Sequence, residues 1–231
     1  MIDAQFVSFV AQGRWDLYGP VHKGLRLAHA QLLIRLGSAD TLAGQRSLLA
    51  DLSAHLALAA SHLAHEEDVI HPALEQVRPG ATAFLAAEHL RHHDRLEQLH
   101  GMIETVERCP RETRPAYWRS LYLTFAAFVA ADLEHMAQEE AVTWPQLCAA
   151  FSDEELAALE MRVIGGLSPH ELIAFMRIML PAMSPDERVG LLSGMKANAP
   201  PEAYQAVIAQ AAAPALTAEE YDHLTRIGLA A

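Results

Sequence analysis

Histidine and glutamate recur four residues apart in this chain, a spacing that can bind metal. His62 stands four positions before Glu66, His135 four before Glu139, and His89 four before His93. At about 100° per residue, a step of four returns to nearly the same helix face one turn on, so both members of each pair point the same way. The two His/Glu pairs head an internal repeat. The stretch from His62 to Leu74 recurs from His135 to Leu147 with seven of thirteen positions identical: the His, an Ala, two Glu, a Val, the Pro and the final Leu. A carboxylate directed into a helical core is costly unless something neutralises it, and a cation does so naturally.

The elements that must position these groups follow from hydrophobic periodicity and from the breakers between periodic segments. Breakers at Gly37-Ser38, Arg78-Pro79-Gly80, Cys109-Pro110 and Pro145 leave four long helical segments. The first begins near Gly19-Pro20, and the others run from about Thr41 to His71, Ala81 to Glu107 and Pro115 to Trp144. Short connections between four such helices predict an antiparallel, up-down-up-down four-helix bundle. On the second helix Leu48, Leu52, His55, Ala59, His62, Glu66 and Val69 share a stripe. His22 shares one with Leu25, Leu32 and Leu36, and His89 and His93 share one with Leu85, Leu96 and Ile103. In the up-down order, the start of the first helix is level with the end of the second, the start of the third and the end of the fourth. His22, His62, Glu66, His89, His93, His135 and Glu139 occupy those ends and are expected to converge as metal ligands.

Imidazole and carboxylate donors without thiolate suit iron, and manganese and zinc accept the same set. Five imidazoles, two bridging carboxylates and a bridging oxygen fill all but one position around two octahedral ions. The open position has room for a small molecule such as dioxygen.

Beyond Phe151 the texture changes to short helices opened by capping boxes, Ser or Thr with Glu three residues later: Ser152/Glu155, Ser168/Glu171, Ser184/Glu187 and Thr217/Glu220. With a further start at Pro200-Pro201, about five short helices are expected. The chain is therefore read as all-α, with a bundle over 1–150 and a helical extension over 151–231. The extension carries no cofactor motif and is read as a cap or as a surface for a second copy or a protein partner.

Composition narrows the classes. Hydrophobic residues at 52% and charged residues at 20% describe a packed globule. A net charge of −12, with no basic stretch to offset it, speaks against nucleic acid. No apolar run reaches the roughly 20 residues a membrane crossing needs, and the N-terminus lacks a basic segment followed by a cleavable apolar core, so a cytoplasmic, soluble protein is expected. Cys109 and Cys148 are expected to be free thiols. There is no Gly-rich phosphate loop, Gly-x-Ser-x-Gly or His-Glu-x-x-His.

With these residues in place, the chain resembles the hemerythrin-like (HHE cation-binding) proteins over about residues 20 to 147. His22-Lys23-Gly24-Leu25-Arg26 and the two His-x-x-x-Glu-Glu segments followed by Pro-x-Leu carry the likeness. The resemblance implies a non-haem, oxygen-bridged di-iron centre held by His22, His62, His89 or His93, and His135, with Glu66 and Glu139 bridging. It also implies reversible dioxygen binding, sensing of oxygen or a related small oxidant, or iron handling. A binding or sensing module is favoured over an enzyme with no separate catalytic residues, the enzyme alternatives being an oxidase or a peroxide or nitric oxide reductase. A metal-free adaptor is the third reading. Oxygen-carrying members have an Asp five residues after the fourth-helix His, where this chain has Glu140, so the bridge on that helix falls to Glu139 or Glu140.

The remaining histidines divide. His65 is read as exposed and His71 as a packing residue that reaches water, while His92 competes with His93. Asp132, three residues before His135, either orients that imidazole or is solvated. His29, His55 and His100 each lie seven residues from a proposed ligand, about 10 Å along a helix, and are expected to form a second layer. Glu97/His100 and Glu220/His223 are similar to the Glu-x-x-His pairs of ferritin-like bundles, but one of them falls outside the four long helices.

Overall fold

A computed structural model describes residues 4–39 and 42–230, which are helical and contain no strand among them. The start expected near Thr41 lies outside the described residues. In chain order the helices are α1 (Ala4–Ala11), α2 (Gly19–Ser38), α3 (Leu42–His65), α4 (His71–Val77), α5 (Ala83–Arg108), α6 (Arg114–Gln138), α7 (Trp144–Ala150), α8 (Asp153–Gly166), α9 (Pro169–Ala182), α10 (Pro185–Asn198), α11 (Pro201–Val207), α12 (Ala213–Ala215) and α13 (Ala218–Arg226). No helix is long and apolar enough to cross a membrane among the described residues.

By its contacts the chain divides into two units: Met1–Tyr18 with Ala28–Val163, and Gly19–Leu27 with Ile164–Ala231. In the first unit, one apolar core takes Leu32 and Leu36 from α2, Leu49, Leu52 and Leu56 from α3, Leu96, Leu99 and Ile103 from α5, and Leu121, Phe125 and Phe128 from α6. A second cluster gathers Leu17, Tyr18, Ile70, Leu74, Trp144, Leu147, Leu156 and Leu159. Leu156 and Leu159 belong to α8, so the first unit continues past Phe151 to Val163. Helix α1 has no counterpart in the sequence reading; its Phe6 and Phe9 meet the Trp144 ring edge-on at 5.7 and 6.4 Å.

The helices expected to stop at His71 and before Pro145 instead run on through wide π turns. Glu66–Ile70 joins α3 to α4 and Glu139–Thr143 joins α6 to α7, with the His71 N–H donating to the Glu66 carbonyl and the Trp144 N–H to that of Glu139. Proline follows in both places, at Pro72 and Pro145. A proline ring meets the carbonyl four residues back and offers it no N–H, and a turn one residue wider relieves that clash without ending the helix.

In the second unit, the core runs from Met176 and Leu180 through Leu192, Val207 and Ala211 to Leu224 and Leu229. All four capping boxes form, with Glu155, Glu171, Glu187 and Glu220 each bonded to the cap residue's backbone N–H. Gly24 of α2 sits against the α9 backbone, where a Cβ would meet the Ile178 carbonyl carbon at 3.0 Å. A third π turn, Ile208–Ala212, precedes Ala213-Pro214. The carbonyl four residues before that proline belongs to Gln210, and it accepts a bond from Arg177 Nε at 2.7 Å. Pro181 lies one residue from the end of α9, where little helix remains for it to disturb.

Candidate metal centre

The two apolar clusters of the first unit leave a layer between them. Along the α3 run, Leu63 belongs to one cluster and Ile70 to the other, and Glu66 falls between; Val129 and Trp144 bracket His135 and Glu139 in the same way. Glu66 is 1% exposed and Glu139 0%, and His89 and His135 are each 1% exposed. Four carboxylate and imidazole groups sealed from water at such depth form a high-stakes polar layer, since each is costly to bury unless matched.

Their ligand atoms converge. One atom each from Glu66, His89, His135 and Glu139 lie within 4.8 Å of one another. The Nε2 atoms of His89 and His135 face each other at 3.0 Å. His89 Nε2 is 3.6 Å from Glu66 Oε2 and 3.8 Å from Glu139 Oε1, and His135 Nε2 is 3.4 Å from Glu139 Oε1. His62 Nε2 joins at 3.2 Å from Glu66 Oε1. A buried cluster of this kind could hold a metal ion.

The outward ring nitrogens show how the imidazoles are set. His89 Nδ1 donates to Glu67 Oε1 at 3.0 Å, and His135 Nδ1 to Glu88 Oε2 at 3.1 Å. A carboxylate on Nδ1 fixes the tautomer that leaves Nε2 as the inward donor, an arrangement characteristic of metal-binding histidines. Burial lowers the His89 pKa, but the carboxylates of Glu139, Glu66 and Glu67 outweigh it and hold the imidazole above its ordinary value.

Of the residues chosen from sequence, the structure brings His62, Glu66, His89, His135 and Glu139 together. His22 is fully buried on the part of α2 that belongs with the second unit. His93 stands outside the cluster, its side chain 41% exposed and its Nε2 3.0 Å from Glu67 Oε1. The step of four from His89 is real, but it leads outward to Glu67. His92 turns inward instead, 2% exposed with its ring centroid 4.9 Å from that of His135. Glu139, and not Glu140, belongs to the buried cluster.

Sequence reasoning missed two buried groups. His71 is 6% exposed with Nε2 3.8 Å from Glu139 Oε1, because the π turn brings it over Glu66. Tyr18 is fully buried, and burial followed by the carboxylates of Glu139, Glu66 and Asp16 holds its phenol well above the ordinary range. A neutral O–H therefore lies within electrostatic reach of both site carboxylates. The proline after His71 was the signal for the first; nothing in the pattern before α2 marked the second.

The layer expected from His29, His55 and His100 is only partly assembled. His55 Nε2 donates to His29 Nδ1 at 2.8 Å, and His29 Nε2 donates to Asp132 Oδ2 at 2.8 Å. Asp132 thus serves His29, and its other oxygen is 3.5 Å from His92 Nδ1. His100 is turned away and donates to the Leu96 carbonyl at 2.8 Å. Burial tends to raise the Asp132 carboxyl, yet the bond from His29 draws it down to about 2. Burial, then His29, pushes His55 down to about 3.

The depressed His55 has a measurable consequence. Below its ordinary value of 6.5 the unfolded chain takes up a proton that the folded protein refuses until about pH 3. The unfolded state binds more protons across that window, so stability falls as pH drops, approaching a slope of about 1.4 kcal/mol per pH unit. Urea unfolding of metal-free protein between pH 7 and 5 should show this slope, and His55→Leu should flatten it. An equally steep slope in the variant would place the acid sensitivity elsewhere.

Thiolate plays no part in the centre. Cys148 is buried in the apolar cluster around Trp144, and burial pushes its thiol up to about 11. Oxygen and imidazole nitrogen are the only donors in the cluster, which fits iron, manganese or zinc and gives no advantage to copper(I) or an iron–sulfur cluster. No protein-family model, no curated protein and no solved structure matches this chain.

Proposed function

We propose that this protein is a non-haem di-iron protein that binds or senses dioxygen or a related small oxidant, or handles iron, in an up-down-up-down four-helix bundle of hemerythrin-like kind. The observation that carries the reading is the pair of buried carboxylates facing imidazoles whose outer nitrogens are each held by another carboxylate. A metal-free adaptor has no use for that outer pair. His62, His89 and His135 would hold the metal through imidazole nitrogens, and Glu66 and Glu139 would hold it through their carboxylates. His22 is the proposed ligand from α2. It is fully buried on α2.

Two irons held there would supply reversible one-electron chemistry toward a small molecule such as dioxygen. The chain's own part is to exclude water with the flanking apolar clusters, to fix the imidazole tautomers through Glu67 and Glu88, and to hold a neutral phenol at Tyr18. The C-terminal helices are the proposed surface for a second copy or a partner that reads the state of the centre.

Anaerobic loading with ferrous iron, followed by visible spectroscopy on adding and then removing dioxygen, tests the reading. Uptake of two irons with a reversible colour change supports binding. Rapid irreversible oxidation assigns the same ligands to an oxidoreductase, and no iron uptake refutes the site.

A further inference from the structure

We propose that His71 is an additional metal ligand, which makes the two ion positions unequal; the inference rests on the metal-centre reading above. His71 is buried, and its Nε2 has no hydrogen-bond partner, although it points toward the site at 3.8 Å from Glu139 Oε1. Its ring centroid is 4.8 Å from that of His89, on the side of the cluster where His89 and His135 face each other. A lone pair buried without a partner loses its hydration for nothing, unless a cation receives it.

The backbone explains why this side chain arrives there. Five residues along an α-helix point well away from the starting face, but the π turn from Glu66 to Ile70 holds more residues per turn and returns His71 to the face of Glu66. The internal repeat provides a comparison within the same molecule. In the second copy the equivalent residue is Trp144, which has no lone pair to offer, and its indole N–H donates outward to the Trp15 carbonyl at 2.8 Å. One copy of the repeat ends in a donor pointed at the cluster and the other ends in a plug. His71 would therefore add an imidazole to the ion held by His89 and His135, which a symmetric pair of repeats would not supply.

Cobalt(II) is a suitable probe, because its visible bands report coordination number without any redox step. Metal-free wild type, His71→Phe and His71→Leu are titrated anaerobically with cobalt, with uptake measured by elemental analysis and folding checked by circular dichroism. The expected result is two ions bound by wild type, and in both variants a tenfold or greater loss of affinity for one ion with a change in its bands, the other ion being retained. Added imidazole should restore the second ion in His71→Gly. Native affinity and native bands for both ions in folded His71→Phe or His71→Leu would overturn the role of His71 while leaving the centre in place. Failure of wild type to take up cobalt would overturn both, so the two failures are told apart by the wild-type titration.

Discussion

Replacing Glu66 and Glu139 together with leucine should make the metal-free protein more stable and leave it unable to take up metal. The two carboxylates are 1% and 0% exposed and lie in a layer sealed by apolar side chains on both sides. Exchange of a whole buried ionic group for well-packed apolar residues is often stabilising, by about 1–4 kcal/mol, and the same sign is expected here because, with Glu66 and Glu139 gone, burial favours a neutral His89 and no charge is left stranded beside it. The same exchange removes both carboxylates of the buried cluster that could hold a metal ion. A ligand that binds only the folded state adds about 4 kcal/mol at a thousand times its dissociation constant, so loaded wild type should recover and exceed the lost ground. Urea midpoints with and without ferrous iron are the measurement. The order should be double variant above metal-free wild type, with the double variant alone insensitive to iron. If the variant is less stable than wild type without metal, the carboxylates are structural and the reading of the layer as a cation-binding site fails.

Removing the outer carboxylates should weaken metal binding without touching a ligand. Glu88 holds His135 Nδ1 at 3.1 Å and Glu67 holds His89 Nδ1 at 3.0 Å. Partners of this kind, one step out from a metal, are typically worth 10–100-fold in affinity. Glu88→Ala is expected to lose that much, and Glu88→Gln less, because an amide oxygen still accepts the Nδ1 proton and keeps the tautomer. Competition with a chromogenic chelator measures the difference. Equal affinities for wild type and Glu88→Ala would mean that His135 is oriented by packing alone. Glu67 has a second duty, since it also accepts from His93 Nε2 at 3.0 Å, so Glu67→Ala frees two imidazoles and should have the larger effect.

Spacing was enough to find His62, Glu66, His135 and Glu139, because a step of four means the same face in any α-helix. It was misleading at His93, where the helix presents two imidazoles in one direction but only the nearer reaches the interior; depth depends on the neighbouring helix, which periodicity does not contain. His71 was hidden for a different reason. Its place follows from a turn that is not α-helical, and a count based on 3.6 residues per turn puts it on the wrong side. Asp132 looked like a partner for His135 because they are close in sequence, whereas its actual partner, His29, is 103 residues away. Tyr18 sits just before the first turn of α2, in a stretch with no period to read.

The third wide turn, Ile208–Ala212, has neither imidazole nor carboxylate, yet it precedes proline in the same register as the other two. Proline, rather than any ion, is what the three have in common. None of the three turns needs an ion to form, so a metal taken up by the cluster would meet a backbone already shaped for it. Iron entering it should leave the helical circular dichroism unchanged, and loss of iron should empty the protein without unfolding it. A centre of that kind would be able to lose and regain metal without a change in the fold around it.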